Sequence, residues 1–346
     1  MIKLIEKLYS TRNLTLDEYE FLIANRTEET AEKLAVLARQ RANEVYGNKI
    51  FVRGLVEITN ICKNDCLYCG IRRSNKSCSR YRLTKEEILA CCEEGNRIGY
   101  STFVLQGGED GYFTDEVLCD IVREIKSRYP EKAVTLSMGE RSYDSYKALR
   151  EAGTDRYLLR HETADPGHYS MLHPVELTLE NRMRCLRDLK SLGYQVGCGF
   201  MVGSPYQTYG HIAKDLKFIE EFSPDMCGIG PFISHRDTPF KDEKNGSLEL
   251  TCYLLSIVRL IHPHILLPST TALGTIHPQG RQKGILSGAN VVMPNLSPED
   301  AKSKYTLYDN KLHSGAESAR ELNKLKELMY SIGYEVVLDR GDTIKE

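Results

Sequence analysis

A chain of 346 residues, 41% hydrophobic and 27% charged, is long enough to bury a full core and is neither disordered nor fibrous in make-up. Its 46 Lys and Arg against 48 Asp and Glu leave a net charge of -2, so no basic excess exists for nucleic-acid binding. The longest apolar runs, such as Ile265-Leu266-Leu267, fall far short of the ~20 residues of a membrane span, which leaves membranes out of the expected partners.

At ~150 residues per domain the length suits two domains or one large α/β barrel. The N-terminus, Met1-Ile2-Lys3-Leu4-Ile5-Glu6-Lys7, is amphipathic and lacks the apolar stretch of a signal peptide, so the chain is read as cytoplasmic. Residues 1–48 read as a helical extension, with Leu34, Leu37, Ala38 and Val45 at helical spacing after Thr27-Glu28-Glu29-Thr30. Strand-like runs follow at 51–59, 101–105, 132–137, 155–161, 195–202, 225–230, 265–269 and 289–293. Helical patterns lie between them at 84–98, 114–128, 143–152, 178–192, 208–222 and 249–262. In the fourth of these, Leu179, Met183, Leu186, Leu189 and Leu192 share one face and Gly193 closes the helix. Alternation of this kind predicts a parallel sheet. Eight strands fit a complete (β/α)8 TIM-type barrel over 49–298, with 299–346 completing or capping it; an open doubly wound sheet is the alternative. In a barrel, chemistry belongs at the C-terminal ends of the strands.

Eleven cysteines, an odd number with no signal peptide, argue against a disulfide framework. Most are scattered and read as small buried hydrophobes. Cys62, Cys66 and Cys69 instead form a C-x3-C-x2-C array just after the first strand. Thiolates select iron-sulfur clusters and zinc. A closed zinc site needs four ligands, and the next cysteine, Cys78, lies nine residues on from Cys69. Three thiolates on a [4Fe–4S] cluster leave one iron open to a cofactor or substrate. A chance cluster of buried or zinc-binding cysteines is the plainer reading.

Other strand ends carry polar and flexible residues. Gln106-Gly107-Gly108-Glu109-Asp110 would let a ligand approach the backbone, or form an ordinary turn. Ser137 could hydrogen-bond a ligand or cap a turn. Alternation puts Arg160 and Glu162 on one face, above Leu158, and points His161 towards the helices. Charges on that face require a polar site. Arg182 suits a carboxylate, or is a surface helix charge. Three glycines in 196–203 imply a close approach. The hydroxyl run Ser269-Thr270-Thr271 could bind an anion or cap a helix.

The three-cysteine array, with Tyr68 before its last member, resembles the signature of radical S-adenosylmethionine (SAM) enzymes. That resemblance implies one [4Fe–4S] cluster on Cys62, Cys66 and Cys69, with SAM chelating the open iron and cleaved reductively to methionine and a 5′-deoxyadenosyl radical. It further implies SAM contacts from Tyr68, Gln106, Gly107, Gly108, Ser137, Glu162, Arg182 and Met201, with Arg182 on the methionine carboxylate. Arg160-His161-Glu162-Thr163-Ala164, Ile229-Gly230-Pro231-Phe232-Ile233, Thr270-Thr271-Ala272-Leu273-Gly274-Thr275 and Val291-Val292-Met293-Pro294-Asn295 resemble the HydE family of [FeFe]-hydrogenase maturases, related to biotin synthase, over residues 50–310.

The HydE resemblance implies radical attack on the sulfur of a cysteine-bound iron carbonyl–cyanide precursor. This organometallic substrate would come from HydG and pass on towards HydF, with an unidentified electron donor. Thr135, Arg160, Thr270 and Thr271 would form the substrate end, and Met293, Tyr305 and Tyr308 would line or close it. Many family members carry C-terminal cysteines for a second cluster. None follows Cys252 here and His313 alone cannot replace them, so no second cluster is expected. The alternatives are a methylornithine-synthase-like mutase, with Glu57 or Glu140 as candidate partners for the substrate amine, and a non-catalytic iron-sulfur or zinc scaffold.

Overall fold

The computed structural model describes residues 1–312 and 318–344, so His313 lies outside the described residues. Three helices open the chain: α1 (Ile2–Thr11), α2 (Leu16–Ala24) and α3 (Glu28–Tyr46). The alternating region then runs β1 (Lys49–Val52), β2 (Gly54–Thr59), α4 (Lys85–Ile98), β3 (Thr102–Gly107), α5 (Asp115–Arg128), β4 (Ala133–Ser137), α6 (Tyr143–Glu151) and β5 (Arg156–Leu158). It continues with α7 (Pro166–Leu172), α8 (Leu179–Ser191), β6 (Gln195–Cys198), β7 (Met201–Val202), α9 (Tyr209–Phe222), β8 (Met226–Cys227), β9 (Gly230–Pro231) and α10 (Leu248–Ile261). Last come α11 (Thr271–Ile276), α12 (Gly280–Leu286), β10 (Val291–Val292), α13 (Glu299–Lys302), α14 (Leu322–Tyr330) and β11 (Glu335–Val337).

Side-chain caps fix many of these helix starts. Thr15, Thr27, Thr84 and Thr208 head reciprocal capping boxes, and Thr114, Ser142, Thr178 and Ser247 cap α5, α6, α8 and α10. Among the described residues no helix is long and apolar enough to cross a membrane.

Every strand pairing among the named strands is parallel, in the orders β2-β3-β4-β5-β6-β8, β10-β1-β11 and β7-β9. Bridges at Leu55–Asn295, Met226–Leu266 and Pro268–Val291 link these sheets, consistent with a TIM-type barrel. Several expected strands are shorter or split, for local reasons. The 155–161 run ends at Leu158, and Glu162 turns into the left-handed region at φ 67°. The 195–202 run breaks where Gly199 takes φ 148°. The 265–269 run makes only isolated bridges, because Pro268 has no N–H to donate to a ladder. Sequence reading missed α7, α12, α13 and β11; α11 begins at the hydroxyl run as that run's capping alternative implies, with Thr270 at the N-cap position but no side-chain cap bond. Strand β11 pairs with β1 (Ile50↔Val336), so the C-terminal segment joins the sheet as well as covering it.

The core runs outward from the sheet. Helix α10 is buried along almost its whole length. The Tyr253 hydroxyl at its centre donates to the Leu22 carbonyl of α2 (3.0 Å), and Tyr19 Oη donates to Glu220 of α9 (2.8 Å). Arg259, fully buried, takes the place of missing ladder bonds. Its guanidinium donates to the carbonyls of Gly288, Pro263 and Ile265 and to Asn290 Oδ1, at 2.7 to 3.0 Å. Burial lowers its pKa to about 10, still charged at neutral pH. Arg259→Met would strand the three carbonyls, each costing ~1–3 kcal/mol when unsatisfied, while Asn290 Oδ1 keeps the Leu267 amide. Urea unfolding of the apo-protein should show a loss on the order of 3 kcal/mol. A loss under about 1 kcal/mol would mean this cage does not organise the segment.

Candidate active site

The cysteine loop leaves the C-terminal end of β2 and lies across the strand ends. Arg80 clasps it, donating to the carbonyls of Asn60, Ile71, Arg72 and Asn75 at 2.6 to 3.2 Å. Asp65 braces it from within, accepting from Arg72 (2.9 and 2.7 Å) and from Ser74. The Arg72 bonds hold that carboxyl well below the usual range. The loop touches β3 closely at Gly108, where a Cβ would stand 2.3 Å from the Ile61 carbonyl oxygen and 2.8 Å from Cys62 Cβ. The Glu109 amide donates to Cys62 Sγ at 3.4 Å.

Cys62, Cys66 and Cys69 open into one cavity of about 350 Å³ at the strand ends. So do Tyr68, Gln106, Gly107, Gly108, Ser137, Glu162, Arg182 and Met201, and also Arg160, Thr270, Thr271, Met293, Tyr305 and Tyr308. Thr135 alone of the expected site residues is outside this lining. It sits two residues below Ser137 on the same face of β4, 2% exposed, with its hydroxyl unpartnered.

Several partners were not legible in the sequence. Tyr68 Oη lies 3.2 Å from His173 Nε2, and His173 Nδ1 lies 2.9 Å from the Tyr169 carbonyl. A carbonyl only accepts, so Nδ1 carries the proton and Tyr68 donates to Nε2. Burial pushes His173 down to about 3, which keeps the ring neutral. Arg182 Nε donates to Glu140 (2.5 Å) and its Nη1 to the Arg160 carbonyl (2.5 Å), while Asn181 holds the second Glu140 oxygen (2.6 Å). Arg182 is therefore fixed at the cavity rather than loose on a helix surface.

His161 points away from the cavity, as the alternation requires. Its Nδ1 accepts the Gly199 amide (3.2 Å) and its Nε2 lies 3.3 Å from Asp215 of α9. Burial pushes His161 down to about 3 and the Asp215 carboxyl up. On the cavity side, Arg160 Nη2 and Glu162 Oε2 stand 3.1 Å apart without hydrogen-bond alignment. Arg160 Nε and the Thr270 hydroxyl are likewise buried and unbonded. These are polar groups oriented for something other than each other.

A model of the radical SAM superfamily matches residues 56–219. The [FeFe] hydrogenase maturase subunit HydE of Thermotoga maritima is 46% identical over 281 residues, covering 81% of this chain and 80% of that one. This chain belongs to the HydE family of radical SAM enzymes. A second relative, 3-methylornithine synthase of Methanosarcina acetivorans, is 28% identical over 95% of this chain and 92% of its own. Among solved structures, methylornithine synthase (PylB) superposes with a TM-score of 0.82 at 25% identity, covering 96% and 97% of the two chains. The hydrogenase maturase HydG does so at 0.82 and 20% identity, covering 98% of this chain and 76% of that one, a likeness of fold alone.

HydE-family membership implies a [4Fe–4S] cluster and SAM, and the loop's donors fit a thiolate-held cluster. All three thiols are free, face one cavity and have the Glu109 N–H aimed at a sulfur. Among the described residues no three His, Cys, Asp or Glu converge tightly enough for a single ion. As bare thiols, burial pushes Cys62 and Cys66 up and Cys69 up to about 12. Coordination reverses that by taking the proton outright.

Asp110 ties the turn after β3 to the two ends of the cysteine loop. It accepts from Arg82 (2.7 and 2.8 Å), Thr59 Oγ1 (2.9 Å) and the Tyr112 amide (3.1 Å). Burial alone would raise its pKa, but the Arg82, Tyr112 and Thr59 bonds outweigh it and hold the carboxyl below 3.8. The stabilisation is thus full above 3.8 and is lost as pH falls through the depressed folded value. Asp110→Asn should cost on the order of 2 kcal/mol at pH 7. The gap between wild type and variant, read from urea midpoints at stepped pH, should close below pH 3.8. A constant gap would contradict the assignment.

Proposed function

We propose that this protein is a HydE-type maturase acting on the sulfur of a cysteine-bound iron carbonyl–cyanide precursor during assembly of the [FeFe]-hydrogenase two-iron subcluster. The observation that carries the reading is the single cavity shared by the three thiols and the unbonded polar atoms of Arg160, Glu162 and Thr270. The bound cluster and SAM would supply an electron and a carbon-centred radical. Cys62, Cys66 and Cys69 would hold the cluster, and no second C-terminal cluster is expected. Tyr68, Gln106, Gly107, Gly108, Ser137, Glu162, Arg182 and Met201 would bind SAM. The open N–H donors of Arg160, with Thr270 and Thr271, suit an anionic iron–cyanide ligand. Met293, Tyr305 and Tyr308 would close over it and exclude water.

The frame would be a complete (β/α)8 barrel over 49–298, closed through the Met226–Leu266 and Pro268–Val291 bridges. Residues 1–48 would be an N-terminal extension and 299–346 a covering segment. Expected partners are HydG as source of the iron unit, HydF as its recipient and an unidentified electron donor, in the cytoplasm. A second reading, a methylornithine-synthase-like mutase, draws on the 28% identity spanning 95% of this chain and on the PylB superposition.

Two measurements test this. In a defined maturation mixture with HydG, HydF, reductant, SAM and apo-hydrogenase, adding the protein should restore hydrogen evolution. Production of 3-methylornithine from L-lysine by the reduced enzyme would favour the second reading. The reconstituted chain should hold about four irons. Cys66→Ala should bind under about one and release no 5′-deoxyadenosine, yet keep its helical circular dichroism, since the loop lies outside the core. Near eight irons would refute the single cluster.

A further inference from the structure

Glu57 is completely buried on the inner face of β2 and lines the cavity. One carboxylate oxygen accepts from Lys311 Nζ (2.5 Å) and the other from Asn295 Nδ2 (2.8 Å). Lys311 is brought in by the segment that covers the strand ends, its side chain 10% exposed and its ammonium 4.9 Å from the Tyr305 ring centre. That segment is pinned by Gly70 N–H to the Leu307 carbonyl (2.8 Å) and by Asn60 to the Lys304 carbonyl (2.8 Å). As mere structure this pair is a poor investment, because desolvating both charges offsets their attraction and apolar residues would pack as stably. Its place on the wall of a ligand cavity suggests a recognition role.

The other carboxylates on the cavity wall have different tasks: Glu109 takes Lys63 and the Glu140 amide, and Glu162 is the one assigned above to SAM. Glu140, a sequence-level candidate for an amine, is consumed by Arg182 and Asn181. A carboxylate offers about four acceptor sites, of which Lys311 and Asn295 occupy one each. Glu57 therefore has acceptor capacity that neither Lys311 nor Asn295 uses. Arg160, with its unbonded donors, lines the same cavity.

We propose that Glu57, steadied by Lys311 and Asn295, is the specificity residue that reads the amino group of an α-amino-acid substrate whose carboxylate meets Arg160. The assignment rests on the function proposed above and narrows its substrate class, because a cysteine-bound iron unit carries such a head group. The amine N–H groups are donors whether it is protonated or metal-bound.

The test compares two probes on the reconstituted, reduced holoenzyme with SAM, scoring 5′-deoxyadenosine release against probe concentration. One is the iron carbonyl–cyanide complex of L-cysteine. The other is the same complex of 3-mercaptopropionate, which lacks the amino group. The wild type should need at least about tenfold more of the second, the worth of one charge-assisted hydrogen bond. Glu57→Gln should shrink that ratio to within about threefold, whereas Lys311→Arg, which keeps a cation on the carboxylate, should retain it. A wild type that does not discriminate, a Glu57→Gln enzyme that still does, or a Lys311→Arg enzyme that does not would each overturn the assignment. If neither complex stimulates release, the maturase reading fails by itself. L-lysine then becomes the probe: its binding must weaken about tenfold in Glu57→Gln, and unchanged or absent binding overturns the Glu57 assignment too.

Discussion

The site depends first on a backbone contact. The cysteine loop can lie on the strand ends only because Gly108 has no Cβ; any other residue would meet the Ile61 carbonyl and Cys62 itself. A second contact of this kind follows the last cysteine, where a Cβ on Gly70 would stand 2.1 Å from the Thr306 carbonyl oxygen. Two glycines thus set how deep the thiols sit and how closely the covering segment descends on them. The polar clasp of Arg80 and the brace of Asp65 then hold a loop whose position sterics have already chosen.

Around that loop the protein divides its charges into two kinds. Some are locked to a partner: Arg182 to Glu140, Asp110 to Arg82, Asp65 to Arg72. Others are brought together without bonding, as with Arg160 and Glu162. In a low-dielectric cavity an unbonded polar atom is costly, so the second kind marks where a ligand does the satisfying. Glu162 carries a further cost in its left-handed backbone, of the sort that collects at functional sites. His161, anchored against α9 beside Asp215, holds the adjacent backbone while its neighbours face inward.

Features that follow from local physics were legible in the residues alone. The three-cysteine spacing, the alternation that sends Arg160 and Glu162 one way and His161 the other, and the capped helices α4, α5, α6, α8, α9 and α10 all arise from interactions within a few residues. Strand ends were less legible, because a single glycine or proline breaks a ladder that hydropathy alone would continue, as at Gly199 and Pro268. Folding added contacts that no spacing encodes. Glu57 and Lys311 lie 254 positions apart, Tyr68 and His173 105, and Arg182 and Glu140 42. Strand β11 finds β1 from the far end of the chain. Thr135 falls outside the cavity lining although its strand-mate Ser137 is in it, because depth along a parallel sheet is set by how neighbouring strands stagger. Pairings closed by chain return leave no periodic trace in the residues that make them.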